Sequence, residues 1–245
     1  MVGRRILAVL LLAASTVQAG VTACGGDNQW PPSSYRLPAA PEQVVGYSPD
    51  VLKAALPAPW KPDFRLMPFA RCLSSAAQGE GVQIVMGASK TPEREKQFLF
   101  SQSYLRLNPV AASLRRPPSA NRAVREWCGI HGFNYKAFGL TDAQVDSGSA
   151  NYADLMRKLE AGHCRQFVEY REVLLGLGKL GVLDPVGQLV YRPLPGAKPV
   201  DAYFMISRRA PQAERLLAQL NVGLSRLEAR GELKRLLAER LQNQR

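Results

Sequence analysis

The chain has 245 residues, a formal net charge of +12 and 46% hydrophobic residues. This length suffices for one large domain or for two domains of ordinary size, each with a buried core. The basic residues are spread along the chain without a block of like charge. This distribution argues against a protein that binds nucleic acids or anionic surfaces.

The first nineteen residues are typical of a secretory signal peptide. Arg4 and Arg5 precede an apolar run at residues 6–14, and residues 17–19 form a cleavage site ending in Ala19. The run is shorter than the ~20 residues of a membrane-spanning helix. We therefore expect export to the periplasm. The alternative is that residues 21–24 are a lipobox, which would make Cys24 an acylated first residue.

The next part of the chain alternates predicted strands and helices, and this order favours an α/β fold. A loop through Trp30 and Tyr35 follows the first strand. The predicted elements are a strand at 21–24, a helix at 49–56 capped by Ser48, a strand at 64–67, a helix at 70–78 ended by Gly79, a strand at 82–86, and a short helix capped by Thr91.

A turn-rich stretch at residues 115–118 is predicted to cross into a second lobe. The elements predicted after it are strands at 127–130, 165–168 and 188–191, helices at 151–161 and 172–180, and finally a strand at 203–206 with helices at 211–226 and 228–241. The leucine spacing of the last two helices indicates core packing. We expect residues 20–114 plus 195–245 in lobe 1 and residues 115–194 in lobe 2.

Four cysteines remain after the signal peptide, and export to an oxidising compartment favours disulfides over thiol chemistry or zinc binding. Three pairings are possible. We favour Cys24–Cys72 and Cys128–Cys164, because each joins a strand end to an element nearby in the proposed fold. No Cys-x-x-Cys pair is present and the chain has two histidines, so we expect no metal and no cofactor.

Two segments carry a resemblance to a known family. Residues 87–94 (GASKTPER) and 100–104 (FSQSY) are similar to the "G-x-S/T-x-T-x-E-R … F-S-x-x-Y" signature of the family-3 periplasmic solute-binding proteins, which serve polar amino-acid ABC transporters. Residues 30–32 (WPP), 46–52 (GYSPDVL) and 67–73 (MPFARCL) support it. The resemblance covers about residues 20–242.

The resemblance implies a bilobal periplasmic-binding-protein type II fold, with two α/β lobes joined by two crossing segments and lobe 1 built from both chain ends. It implies that the protein binds a small polar solute, a carboxylate-bearing amino acid or a related compound, between the lobes. Hinge closure would shield the solute from water. We expect a monomer that delivers its ligand to an ABC permease or presents it to a membrane receptor, and no nucleic-acid partner.

In lobe 1 the resemblance assigns Arg94 to the ligand's carboxylate, since a guanidinium offers a planar fork of donors. Ser89 and the backbone N–H groups near Thr91 and Gly87 would add donors at a helix start. The alternative for Arg94 is a surface ion pair with Glu93 or Glu95. Aromatic contact with the ligand is assigned to Trp30 and Phe69, with Tyr35 as a secondary candidate.

In lobe 2 the turn containing Phe133 and Asn134 stands where the family has a "G-T-T" or "G-T-G" turn that completes the carboxylate site. The alternative is that Phe133 packs inward. Tyr170 stands where the family has an aspartate that pairs with the ligand's α-ammonium. Glu169 or Glu172 would supply that charge if one of them faces the cleft. The favoured interpretation is that both are unpaired surface residues, and a ligand without an ammonium group would then be expected.

An enzyme reading of the dehydratase or lyase type is the main alternative, because some proteins of this bilobal fold are enzymes. Asp27, Glu169 and Glu172 are the carboxylates that such chemistry would use as an acid and a base. The spacing of these three carboxylates matches no catalytic motif. The chain has neither a G-x-S-x-G elbow nor a phosphate-binding loop. We therefore expect a binder and no catalytic residue. A ligand-sensing accessory role is the third possibility.

Overall fold

The computed structural model describes residues 20–27, 29–118, 124–131, 133, 135–184 and 187–241. The expected signal peptide and Asn134 lie outside the described residues. The β-strands of the described residues are β1 (Gly20–Gly26), β2 (Tyr35–Leu37), β3 (Ala40–Val45), β4 (Lys61–Met67), β5 (Ile84–Ala88), β6 (Phe98–Phe100), β7 (Leu105–Leu107), β8 (Pro109–Leu114), β9 (Arg125–Ile130), β10 (Val145–Ser149), β11 (Cys164–Tyr170), β12 (Leu189–Pro193) and β13 (Val200–Ser207).

The α-helices are α1 (Tyr47–Ala55), α2 (Phe69–Gln78), α3 (Pro92–Gln97), α4 (Tyr152–Glu160), α5 (Arg171–Lys179), α6 (Ala213–Ala229) and α7 (Glu232–Leu241). Among these, none is long and apolar enough to span a membrane. Four leucines of α6, Leu216, Leu220, Leu224 and Leu227, are buried in the core, as their spacing predicts. Leu217 of α6 and Leu233, Leu236 and Leu237 of α7 are partly buried against the same core.

Two mixed sheets organise the chain. The first has the order β4-β1-β5-β13-β6, with β7 also paired to β13, and the second has the order β10-β9-β11-β8-β12. In the first sheet β1, β4 and β5 run parallel, and β13 returns antiparallel to β5. Both chain ends thus build one α/β lobe and the middle builds the other, which confirms the predicted fold class.

The crossing between the lobes lies at Asn108, earlier than the sequence predicts. β7 pairs with β13 of the first sheet, whereas β8 begins at Pro109 and pairs with β11 and β12 of the second. Residues 109–114, expected in lobe 1, therefore belong to the second sheet. The turn at 115–118 is not a crossing, because the strands before and after it, β8 and β9, lie in the same sheet.

Each lobe has apolar clusters on both faces of its sheet, and each contains one disulfide. Cys24 of β1 bonds to Cys72 of α2, and Cys128 of β9 bonds to Cys164 at the start of β11. This is the pairing favoured from the sequence. All four cysteines are 3% exposed or less, so both bonds lie inside the cores.

Helix α1 begins differently from the prediction. Its N-cap is Gly46 at φ 131°, where a Cβ would lie 2.4 Å from the Ser33 carbonyl oxygen, so glycine is required. Ser48 is inside the helix, and its hydroxyl lies 2.7 Å from Ser33 Oγ and 2.6 Å from the Tyr104 hydroxyl. The hairpin β2–β3, which the sequence analysis did not predict, lies just before this helix.

Candidate functional site

The carboxyl ends of β1, β4 and β5 meet at one edge of the first sheet, since these strands are parallel neighbours. The loop bearing Trp30 follows β1, Phe69 begins the helix after β4, and Ser89 to Arg94 follow β5. In open α/β sheets this edge is where ligands bind. The lobe 1 residues singled out from the sequence are therefore brought to one edge.

Arg94 is held at this edge by local hydrogen bonds. The Thr91 side-chain oxygen caps α3 by accepting from the Arg94 backbone N–H at 3.3 Å. The Arg94 Nη1 donates to the carbonyl and hydroxyl oxygens of Ser89 at 2.8 and 3.0 Å, and the guanidinium carbon lies 5.7 Å from the centre of the Phe69 ring. Backbone capping and side-chain bonds together fix where the guanidinium lies.

Within the described residues Arg94 has no carboxylate partner. Glu95 pairs with Lys90 at 2.8 Å, and no ion pair joins Glu93 to Arg94. Burial lowers the pKa of Arg94 from its ordinary value, which is high enough for the side chain to remain charged at neutral pH. The expected alternative, a local surface ion pair, is therefore absent. Nε and Nη2 of this half-buried cation make no hydrogen bond to the described protein atoms.

Trp30 packs on the backbone of β5, the strand that leads into the segment bearing Arg94. Gly87 has φ +68°, and a Cβ there would lie 2.9 Å from the indole ring and 2.9 Å from Ser33 Oγ. The Gly87 N–H donates to the Tyr104 hydroxyl at 3.0 Å. Gly87 therefore serves as the contact surface for Trp30, and its N–H, expected at the carboxylate site, is engaged by Tyr104.

The second lobe reaches the same place through Tyr170 and α5. The Tyr170 ring stands edge-on to Trp30 with 6.5 Å between ring centroids, and it lies 4.8 Å from the Phe138 ring. A Cβ on Gly176 of α5 would lie 2.8 Å from Pro31 Cβ. The two lobes are thus in direct contact beside Trp30.

Three comparisons with known proteins bear on this arrangement. The chain matches the model of the bacterial extracellular solute-binding proteins, family 3, over residues 23–242. The chain belongs to this family. No curated protein matches it.

Solved structures similar to this solute-binding protein share its fold at low identity. The probable amino-acid ABC transporter extracellular-binding protein ytmK of Bacillus subtilis is 18% identical with a TM-score of 0.71, covering 92% of this chain and 98% of that one. The arginine-bound AbpA of Streptococcus pneumoniae is 16% identical with a TM-score of 0.69, covering 91% and 94%. An ancestral amino-acid-binding protein described as a precursor of cyclohexadienyl dehydratase is 18% identical with a TM-score of 0.69, covering 91% and 96%.

The solute-binding protein uses both of its candidate lobe 2 carboxylates internally. Glu172 is 7% exposed and accepts from the backbone N–H of Asn108 at 2.8 Å and from its side-chain amide at 2.6 Å. Glu169 is 3% exposed and accepts from the Tyr152 hydroxyl at 2.6 Å and the Tyr170 N–H at 2.8 Å. The prediction that both are surface residues is wrong, because both are buried.

Burial raises the pKa of Glu169 to about 7, and the hydrogen bonds from Tyr152 and the Tyr170 N–H oppose that rise. The phenol of Tyr170 is affected in the same direction, since burial and the nearby Glu169 raise its pKa to about 12. At neutral pH Tyr170 is therefore uncharged, and Glu169 is partly protonated.

The other residues singled out from the sequence are Phe133 and Asn134 of lobe 2 and Tyr35 of lobe 1. Phe133 packs on Tyr135 and Tyr152, with ring centroids 6.4 and 6.2 Å apart, and is half-buried against the lobe 2 cores. Tyr35 is buried in the β2–β3 hairpin, near Arg240 of α7. Asn134 lies outside the described residues, so its contacts remain an expectation.

Sequence reasoning missed Asn108 and Gly176 in this solute-binding protein. Asn108 links the crossing segment to α5 through Glu172, and its backbone oxygen accepts from the Arg171 N–H at 2.8 Å. The dipeptide Asn108-Pro109 is a turn signal that could have located the crossing. Nothing in the local sequence indicates that Gly176 meets Pro31.

A hollow of about 660 Å³ also borders Arg94, between α2 and α3 on the first lobe. Besides Arg94, its charged lining residues are Glu93, Lys96, Arg208 and Arg209. All of its lining residues belong to lobe 1. The hollow is thus a second surface that an anion near Arg94 would face, and it supplies control residues for testing the site.

Proposed function

We propose that this protein binds one small carboxylate-bearing solute between its lobes in the periplasm and delivers it, as a monomer, to an ABC transporter. Arg94 is the anchor. The family membership supports the transport role, since its members are extracellular solute-binding proteins. Structures of similar fold include an amino-acid-binding protein with bound L-arginine.

The observation that carries the proposal is the half-buried guanidinium of Arg94, which lies at the carboxyl edge of parallel strands and has no ion-pair partner among the described residues. A buried cation is costly unless it is paired, and a ligand carboxylate would supply the missing charge. Ser89 and Phe69 hold the guanidinium in place, so little side-chain entropy is lost on binding. Trp30 and Tyr170, one from each lobe, would contact the carbon skeleton.

The first prediction concerns Arg94. Carboxylates that raise the melting temperature would be titrated into the protein and its variants. We expect Arg94→Ala to weaken binding by two or more orders of magnitude, because charge-assisted hydrogen bonds contribute about 1.5–3 kcal/mol each and two are lost. Arg94→Lys should recover little, since an ammonium lacks the planar fork.

The matched control is Arg209→Ala, which removes a guanidinium from the neighbouring hollow. It should leave binding unchanged. Equal losses for both variants would place the anion in the hollow, and unchanged binding by Arg94→Ala would refute the proposed anchor. Tyr170→Phe should have a smaller effect than Arg94→Ala, because it removes a hydroxyl and leaves the ring.

A further inference from the structure

The α-ammonium of an amino acid needs a negative charge or several acceptors when the site closes over it, because an unpaired buried cation is strongly destabilising. By resemblance, the residue for this role would stand at position 170, where this chain has tyrosine. A phenol whose pKa is about 12 supplies no negative charge at neutral pH. Any counter-charge must come from another residue.

The two carboxylates nearest to Tyr170 along the chain are committed to other partners. Glu172 binds Asn108 with both carboxylate oxygens, at 2.8 and 2.6 Å, where the chain crosses between the lobes. Glu169 binds the Tyr152 hydroxyl and the Tyr170 N–H with its two oxygens and is 3% exposed. At 7% and 3% exposure, neither Glu172 nor Glu169 presents a free carboxylate surface to a ligand in this arrangement of the lobes.

The carboxylates near the edge of the first sheet are exposed, and two of them, Glu93 and Glu95, flank Arg94 on α3. Asp27 directly follows β1, is exposed, and holds its place through a backbone bond to Met67 on β4. It lies on the lobe that carries Arg94. Because Asp27 remains in solvent, its charge is screened, and it is a weaker partner for a closed site than a buried carboxylate would be.

The side chains near the lobe contact are mostly aromatic. Trp30 meets Tyr170, which packs on Phe138, and Phe69 lies under the Arg94 guanidinium. The Tyr170 hydroxyl makes no hydrogen bond to the described protein atoms. A neutral hydroxyl beside an aromatic surface suits a ligand oxygen and an apolar carbon skeleton.

We infer that the ligand is a carboxylate with an apolar body that carries hydrogen or oxygen in place of the α-ammonium, such as an aryl- or alkyl-substituted propanoate, 2-hydroxy acid or 2-keto acid. The inference rests on the proposed function. Arg94 takes the carboxylate, and Tyr170 stands where a charged partner would otherwise be. The protein would therefore discriminate against ordinary amino acids.

The experiment compares ligands that share a skeleton and differ at the α-carbon. The wild-type protein is titrated with phenylalanine, 3-phenyllactate, phenylpyruvate and 3-phenylpropanoate, and with leucine, 2-hydroxy-4-methylpentanoate and 4-methylpentanoate. We expect the nitrogen-free acid of at least one skeleton to bind at least 100-fold more tightly than its amino acid. An amino acid that binds as tightly as its nitrogen-free partners would overturn the inference and leave the proposed function intact. If neither the amino acids nor the nitrogen-free acids bind in these titrations, and no carboxylate binds in a broad screen, the proposed function is refuted as well.

A gain-of-function variant tests the role of position 170 directly. Tyr170→Asp should improve amino-acid binding by ten- to a hundredfold and weaken binding of the nitrogen-free acid. Tyr191→Asp, the same replacement on β12 of the same lobe, should change neither. Asp27→Asn should leave the preference of the wild type unchanged, whereas loss of amino-acid binding in Asp27→Asn would identify Asp27 as an ammonium partner and overturn the inference. If Tyr170→Asp fails to fold, the titrations of the matched ligands into the wild-type protein still test the inference.

Discussion

The two lobes differ in how closely they follow their family. The lobe 1 edge keeps the serine, the capping threonine and the arginine at the spacing of the family signature, and the structure gathers them around one guanidinium. At the lobe 2 edge Tyr170 stands where the resemblance would place an aspartate, and Glu169 and Glu172 are buried on partners within the protein. In terms of the proposed function, the residues proposed as the carboxylate anchor keep the spacing of the signature, whereas the residues proposed to distinguish ligands do not.

Removal of the two disulfides is expected to have the largest effect, and it tests whether the ligand anchor lies in lobe 1. Removing either bond by paired Cys→Ala substitution should lower the free energy of unfolding by roughly 4 kcal/mol, the loop-entropy value for bonds spanning 48 and 36 residues. Loss of Cys24–Cys72 should also weaken ligand binding, because Cys72 lies in the first turn of α2, which Phe69 begins. Loss of Cys128–Cys164 should not, since Cys164 is at the opposite end of β11 from Tyr170.

Urea unfolding and titration of the two double variants would measure these effects. A larger binding loss on removing Cys128–Cys164 would contradict the assignment of the anchor to lobe 1. An unchanged unfolding free energy in both variants would contradict the structural role of the bonds.

The buried Glu169 makes the stability of lobe 2 depend on pH. Its pKa rises from 4.5 to about 7 on folding, so the folded state holds the proton more tightly than the unfolded state. Stability from this group is complete below about pH 4.5 and declines as the pH rises toward 7, by roughly 3 kcal/mol in all. The phenols of Tyr135, Tyr152 and Tyr170 around it stay neutral throughout this range.

Glu169→Gln should remove that decline, because an amide does not titrate. Denaturant unfolding at pH 5 and pH 8 would show a smaller difference in the variant than in the wild type. Glu126→Gln, an exposed carboxylate on β9 of the same lobe, is the control and should keep the decline. Identical pH profiles for Glu169→Gln and the wild type would show that Glu169 ionises freely in the folded protein.

The smallest expected effect is on ligand affinity, when the contact between Gly176 and Pro31 is disturbed. Gly176→Ala should weaken ligand binding about tenfold, because the new Cβ would lie 2.8 Å from Pro31 Cβ and force the lobes apart. Gly178→Ala is matched in helix propensity, and its Cβ would have only an ordinary contact at 3.8 Å. Titration, with X-ray scattering of the ligand complexes, would measure affinity and compactness. Equal affinity and radius for both variants would show that this contact is not part of the bound form.

Sequence patterns predicted the parts of the molecule that depend on local spacing. The cap at Thr91, the helix end at Gly79, the leucine stripe of α6 and the signature around Arg94 all depend on neighbours a few residues apart. The structure places each of them where the pattern indicates. The ligand roles of these residues remain predictions.

The features that the sequence did not predict depend on distant residues. Glu172 meets Asn108 across 64 positions, and Ser48 meets the Tyr104 hydroxyl across 56. A local pattern assigns Ser48 to a helix cap and Glu172 to a surface, because it contains no information on what the fold brings against them. Asn108 was missed as the crossing for the same reason, since only the pairing of β7 and β8 with different sheets reveals it.

The pairing of all four cysteines has a practical consequence for watching this protein at work. Because no free thiol is present, a single cysteine introduced on the surface would be the only site for a thiol-reactive fluorophore. The exposed Val222 of α6 offers a position on lobe 1. A position beside Lys179, whose ammonium donates to the Glu239 carbonyl oxygen at 2.9 Å, would sense the approach of α5 to α7. The native disulfides thus leave the chain ready for conversion into an optical reporter of solute concentration.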